Sequence, residues 1–188
     1  MTLYSIVLVI HVTAVLVLCA ALSIELLSLF HLRRASTSAE ARPWIDPVPR
    51  LPLFAVGSLP VILSSGVYLV IQESASGKAW PKVAASTLLL MAPLGAMTAR
   101  RMRAIRNAYG FEKVISSELL GLLQDPFLKV SLGIRIAVFL GIFLLVSAKP
   151  GLWGSISIVG ATVILALLAS LLAARTAPFS VPSAELGD

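Results

Sequence analysis

Apolar residues fall along this chain in five long runs with short polar or charged breaks between them. The runs extend from about Leu3 to Leu32, Pro52 to Ile71, Val83 to Ala99, Phe127 to Ala148 and Leu152 to Ala174. A helix needs about 20 mostly apolar residues to cross a bilayer, and each run meets or approaches that length. The pattern therefore predicts an all-α integral membrane bundle of five transmembrane helices, or four if the short third segment fails to cross. The last two runs are separated only by Lys149, Pro150 and Gly151. That spacing predicts a tight helical hairpin, because proline cannot continue a helix and glycine allows a sharp reversal.

Composition agrees with the pattern. Of 188 residues, 58% are hydrophobic and 13% are charged, with a mean hydropathy of +0.96. A soluble domain of this size has too little interior to hide so much apolar surface. A soluble enzyme, a disordered chain and a disulfide scaffold are excluded. The single cysteine, Cys19, lies inside the first run and has no intrachain partner. The first run carries no Lys or Arg ahead of it and is longer than the apolar core of a signal peptide, so it reads as an uncleaved first helix.

The net charge of +6 changes the picture through its placement. Eleven Lys and Arg flank one side of the predicted bundle: Arg33, Arg34, Arg42 and Arg50; Arg100, Arg101, Arg103, Arg106, Lys113 and Lys129; and Arg175. Only Lys78, Lys82 and Lys149 flank the other. Positive residues are retained on the cytoplasmic side, which predicts an N-terminus outside and a C-terminus in the cytoplasm of a bacterial-type inner membrane. Basic residues at helix ends meet lipid head groups, so the partner they imply is the bilayer and not nucleic acid.

The first cytoplasmic loop contains Pro43, Pro47 and Pro49 and is expected to be irregular. In the second, Phe111, Val114, Ile115, Leu119 and Leu122 share one helical face, suited to lying on the membrane surface or simply connecting two spans. Residues 1–176 form one transmembrane domain, and 177–188, with Pro178 and Pro182, read as a disordered tail.

Ionisable residues at membrane depth are costly, so each needs a reason. Glu25 lies seven residues inside the cytoplasmic end of its run, and Arg135 eight residues inside the same face of the fourth. At 1.5 Å per residue both are roughly 10–12 Å deep, which predicts a buried ion pair between helices one and four. The pair either fixes helix register or takes part in a proton path or anion site. His11 is two heptads before Glu25, on nearly the same face, with Ala14, Leu18 and Ala21 between them. That stripe should face the bundle interior. His11 is either a neutral histidine bonded to a neighbouring helix or an axial haem or metal ligand. The only other histidine, His31, is about 30 Å away along the same helix. A haem would therefore need a dimer, or a second ligand such as Met91 or Met97. No metal site is otherwise visible.

Small residues mark close helix approach. Gly133, Ala137 and Gly141 form one row, and Gly154, Ser157 and Ala161 another, with Gly160 beside it. Such rows leave room for a homo-oligomer or a membrane partner. Helix two carries Gly57, Ser58, Ser64, Ser65 and Gly66, with Pro60 in its interior. Pro60 frees the carbonyl of Val56 and should kink the helix, either as a packing device or beside a small-ligand cavity. No phosphate-binding loop, HExxH, GxSxG or paired-carboxylate motif occurs, so catalytic residues are not assigned and hydrolytic or nucleotide-driven chemistry is not expected.

The segments YSIVLVIHVTAVLVL with His11, LSSGVYLV with Gly66, the Arg100, Arg101 and Arg103 cluster, and LVSAKPGLWGS resemble an uncharacterised family of small bacterial integral membrane proteins. More remotely, the histidine of helix one is similar to that of the copper-resistance protein CopD and of the HemJ type of protoporphyrinogen oxidase. Lys149 and Pro150 are similar to a terminal Lys-Pro element of such bundles, and suit a hairpin turn equally well. CopD-like sites require further histidines that this chain lacks, so the remote resemblance implies a haem or porphyrin role through His11. Three functions are open at this point. The leading one is a non-enzymatic membrane protein acting through a partner or a small ligand in the bundle. The others are a haem- or redox-linked protein using His11, and a small transporter with a midplane site near Pro60 and the Glu25–Arg135 pair.

Overall fold

The computed structural model describes residues 2–34, 43–44, 51–111 and 126–175. Among these, five helices and no strand occur: α1 (Leu3–Arg34), α2 (Leu51–Gln72), α3 (Ala79–Phe111), α4 (Pro126–Ala148) and α5 (Leu152–Arg175). All five contain a stretch long and apolar enough to cross a membrane. The chain is a multi-pass all-α bundle. The third segment is the one whose crossing was in doubt, and it is longer than its apolar run. Its candidate span is Ala79–Ala104. Pro81 sits in the first turn, where its missing N–H costs nothing. The proposed surface helix and the C-terminal tail lie outside the described residues, as do Pro47 and Pro49.

One end of the bundle is closed by two short turns. After α2, Ser74 takes a left-handed conformation (φ 54°), and the Ala75 N–H bonds the Val70 carbonyl at 2.9 Å. After α4, Lys149 does the same (φ 47°), its N–H bonding the Leu145 carbonyl at 2.9 Å. The reversal expected of Gly151 is thus made by Lys149, and no described glycine has positive φ. Pro150 fixes this outcome, since it has no N–H with which to extend α4.

Packing follows a 3.5-residue repeat. On α1 the buried positions Ala14, Leu18, Ala21, Leu22, Ser28, Leu29 and Leu32 form the stripe that also carries His11 and Glu25. That repeat keeps one seam of a helix against its neighbour. α1 packs mainly on α2, while α4 lies between α3 and α5. These two groups meet along a seam where α1 touches α4 and α2 touches α3 far less closely. Large apolar side chains such as Leu90, Phe143, Trp153 and Leu165 point outward, as lipid-facing residues do.

The row on α4 faces α5. A Cβ on Gly141 would meet Thr162 Oγ1 at 2.7 Å and the Val159 Cα at 3.6 Å, and one on Gly133 would meet Ser170 Oγ at 3.2 Å. Ala137 is buried between them. The row predicted on α5 does not face α4. Ser157 and Ala161 are exposed, Gly154 abuts Pro150, and a Cβ on Gly160 would meet nothing. Both rows have the right spacing, but spacing cannot tell which side of α5 turns inward.

Candidate functional site at the seam

Glu25 and Arg135 meet. Arg135 Nη1 donates to Glu25 Oε1 at 2.8 Å, and the Arg135 and Glu25 side chains are 6% and 16% exposed respectively. One charge comes from each helix group, so the pair ties the seam together. An arginine at this depth cannot discharge by losing its proton, and it needs a permanent counter-charge.

Arg135 uses only part of its donor set. Nε and Nη2 have no acceptor among the described residues, and one face of the guanidinium lies against Gly95 of α3. A Cβ on Gly95 would stand 3.8 Å from Cζ and Nε and 3.9 Å from Nη2. A Cβ nearly equidistant from these three atoms lies over the guanidinium plane, so the missing side chain at position 95 leaves a face of Arg135 uncovered. Beside it is a cavity of about 50 Å³, bounded by the ion pair and Gly95 and by Leu18, Ala21, Leu59 and Met91. A water needs roughly 10–15 Å³ on this measure, so the space holds about three to five waters or a ligand of similar bulk.

Polar groups continue toward the loop end. Thr98 Oγ1 donates to the Leu94 carbonyl at 2.9 Å, so the 2.8 Å bond between Thr98 and Ser131 must be donated by Ser131. Both residues are essentially fully buried and link α3 to α4. Ser28, one turn beyond Glu25, is 1% exposed and its Oγ has no partner among the described residues.

His11 is bonded to a neighbouring helix. Its Nδ1 is 2.9 Å from Ser65 Oγ on α2. The Ser65 hydroxyl also donates to the Val61 carbonyl. Gly66 makes room for the ring, since a Cβ there would sit 3.3 Å from Cε1. The methionines considered as partners are elsewhere: Met91 lines the seam cavity and Met97 is 46% exposed. Among the described residues no group of three or more His, Cys, Asp or Glu side chains could hold a metal. His31 stacks on Trp44, with centroids 3.8 Å apart, and bonds the Leu27 carbonyl through Nδ1.

The cavity expected near Gly57, Pro60, Ser64 and Gly66 is placed differently. Pro60 and Ser64 are exposed, a Cβ on Gly57 would meet nothing, and Gly66 belongs to the His11 contact. Helix α2 reaches the seam cavity one residue earlier in the turn, through Ala55, Val56 and Leu59. Pro60 still bears on it, because Val56 is the residue whose carbonyl it leaves without an i+4 donor.

At the turn end, Glu73 accepts from Tyr4 at 3.2 Å and faces Lys149 Nζ at 3.8 Å. Lys149 also lies 5.8 Å from the Trp80 ring centroid. Four chain segments are joined there by weak contacts.

Compared with known proteins, the sequence matches no protein-family model and no curated protein, and the fold matches no solved structure. Function is therefore read from the geometry. Gly95 and the Thr98–Ser131 bond were not singled out from the sequence, and Ser65 was named only as a small residue of helix two, without its partner His11. The available signal was a lone glycine in a helix otherwise able to bear side chains, and a serine next to Gly66. Neither identifies its neighbour across the bundle.

Proposed function

We propose that this chain is a non-enzymatic multi-pass protein of a bacterial inner membrane, N-terminus outside, that binds a small ligand in the seam between α1–α2 and α3–α5. The carrying observation is Arg135: a nearly buried guanidinium that gives one bond to Glu25, has further donors without an acceptor among the described residues, and lines a cavity. A pair that served register alone would close on itself and be packed dry. Recognition of a ligand by a few fixed polar groups in an otherwise apolar pocket is the usual design of a small-molecule site. The test is a screen of small anionic, cationic and neutral solutes for a shift in unfolding temperature of the full chain in detergent. At least one class shifts the wild type and loses its effect in Arg135→Gln. If no class shifts it, the reading fails.

The division into two helix groups supports transport as a second reading, because rocking of one group on the other would expose the seam alternately. Uptake into proteoliposomes, abolished in Glu25→Gln, supports it. The bond of His11 Nδ1 to Ser65 supports the third reading, since a ligating histidine is oriented by a partner on its other ring nitrogen. A Soret band present in the wild type and absent in His11→Ala would favour that reading over the others.

A further inference from the structure

The seam cavity also constrains what enters it. The ligand must satisfy guanidinium donors that Glu25 leaves, and a carboxylate is the acceptor that pairs most strongly with Arg. The remaining wall is apolar: Leu18, Ala21, Leu59 and Met91. The volume of about 50 Å³ limits the ligand to a few heavy atoms. A carboxylate with a methyl or ethyl tail meets all three conditions.

Charge supplies a further condition. Arg135 is the single positive charge bordering the cavity among the described residues, and Glu25 already neutralises it. Helix α2 contributes Ala55, Val56 and Leu59, and α3 contributes Met91, Ala92, Gly95, Ala99 and Met102, none of which titrates. The nearby α3 cations are directed elsewhere, with Arg101 over the Phe127 ring at 4.1 Å and Arg100 and Arg103 exposed. On α1, His11 is roughly 20 Å from Glu25 by helical rise. On α4 no other described ionisable side chain is present. A second anion at this depth would leave an uncompensated negative charge in an apolar setting, which is strongly disfavoured.

Building on the ligand-binding reading, we propose that the seam binds a short-chain monocarboxylate together with one proton. The anion takes the Arg135 donors that Glu25 leaves, and a proton from solution adds to a carboxylate oxygen of Glu25. Charge balances: a neutral Glu25–Arg135 pair, one monocarboxylate anion and one proton give neutral Glu25 and a neutral Arg135–ligand pair. The site is thereby a proton-coupled one, and Glu25 is the coupling residue.

The test uses the full chain in detergent with labelled acetate, acetamide as the uncharged analogue, and an indicator dye for protons. The wild type is expected to take up one proton per acetate and to bind tenfold more weakly for each pH unit of rise above neutrality. Acetamide is expected not to bind. In Glu25→Gln the proton uptake disappears and acetate binding becomes independent of pH. Gly95→Ala fits without a clash, because its methyl would stand 3.8 Å from the guanidinium. Because Gly95 lines the cavity, the added methyl narrows it beside the guanidinium and is expected to weaken acetate at least tenfold, and it serves if Glu25→Gln does not fold. Acetate binding without proton uptake, or unchanged binding in Gly95→Ala, overturns the proposal. Binding of acetamide but not acetate overturns it while leaving a ligand site in the seam. Failure of every solute class in the thermal screen removes the underlying reading as well.

Discussion

Removing one partner of the seam pair at a time separates its members by their chemistry. Glu25→Gln leaves Arg135 charged with its side chain 6% exposed. A guanidinium cannot escape by losing its proton, so the cost should approach that of an unpaired buried charge, about 3 kcal/mol. Arg135→Gln leaves a carboxylate that is more exposed, at 16%. That group can be protonated and solvated from the cavity, so the cost should be smaller, about 1–2 kcal/mol. The double variant places two neutral amides side by side and should lose no more than about 1 kcal/mol. The coupling energy is then about 3–4 kcal/mol, at or just above the upper end of the range found for directly bonded pairs. The assay is reversible unfolding of all four proteins in mixed micelles by titration with denaturing detergent. Additive single effects, with coupling below about 0.5 kcal/mol, would refute the pairing. A larger loss for Arg135→Gln than for Glu25→Gln would refute the argument about which charge is trapped.

Other consequences are as direct. Gly141→Ala drives a methyl to within 2.7 Å of Thr162 Oγ1, with the Val159 backbone behind it, and should cost about 1–3 kcal/mol in the same unfolding assay. Gly160→Ala, where a Cβ meets nothing, should leave stability unchanged or slightly raised. Thr98→Val strands the Ser131 hydroxyl and should cost about 1–3 kcal/mol, part of which Ser131→Ala restores. Topology is checked by placing single cysteines at Lys78 and Arg103 in a Cys19→Ser background. An impermeant thiol reagent added to intact cells should label only the first.

The sequence makes some parts of this arrangement easy to read. Five spans follow from run length, because the bilayer imposes a length no other environment requires. The Glu25–Arg135 pair followed from equal depth measured from one face, since opposite charges in lipid at one level have few other solutions. The inward face of α1 followed from the heptad spacing of His11, Ala14, Leu18, Ala21 and Glu25. Rotation of α5 about its own axis was not legible. Its apolar residues surround it, so Gly154, Ser157 and Ala161 carried no sign of facing lipid. Pro60 drew attention to one face of α2, whereas the cavity lies on the adjacent face at Leu59. Likewise, nothing in the sequence pairs His11 with Ser65 across the bundle.

The central claim is that a ligand and Glu25 share Arg135. Infrared difference spectroscopy of the full chain, with and without acetate, reads the carboxyl group of Glu25 itself. The account predicts that acetate brings up the carbonyl band of a protonated carboxylic acid and that this band is missing in Glu25→Gln. Acetate binding with Glu25 still a carboxylate, or with the same band present in Glu25→Gln, would contradict it.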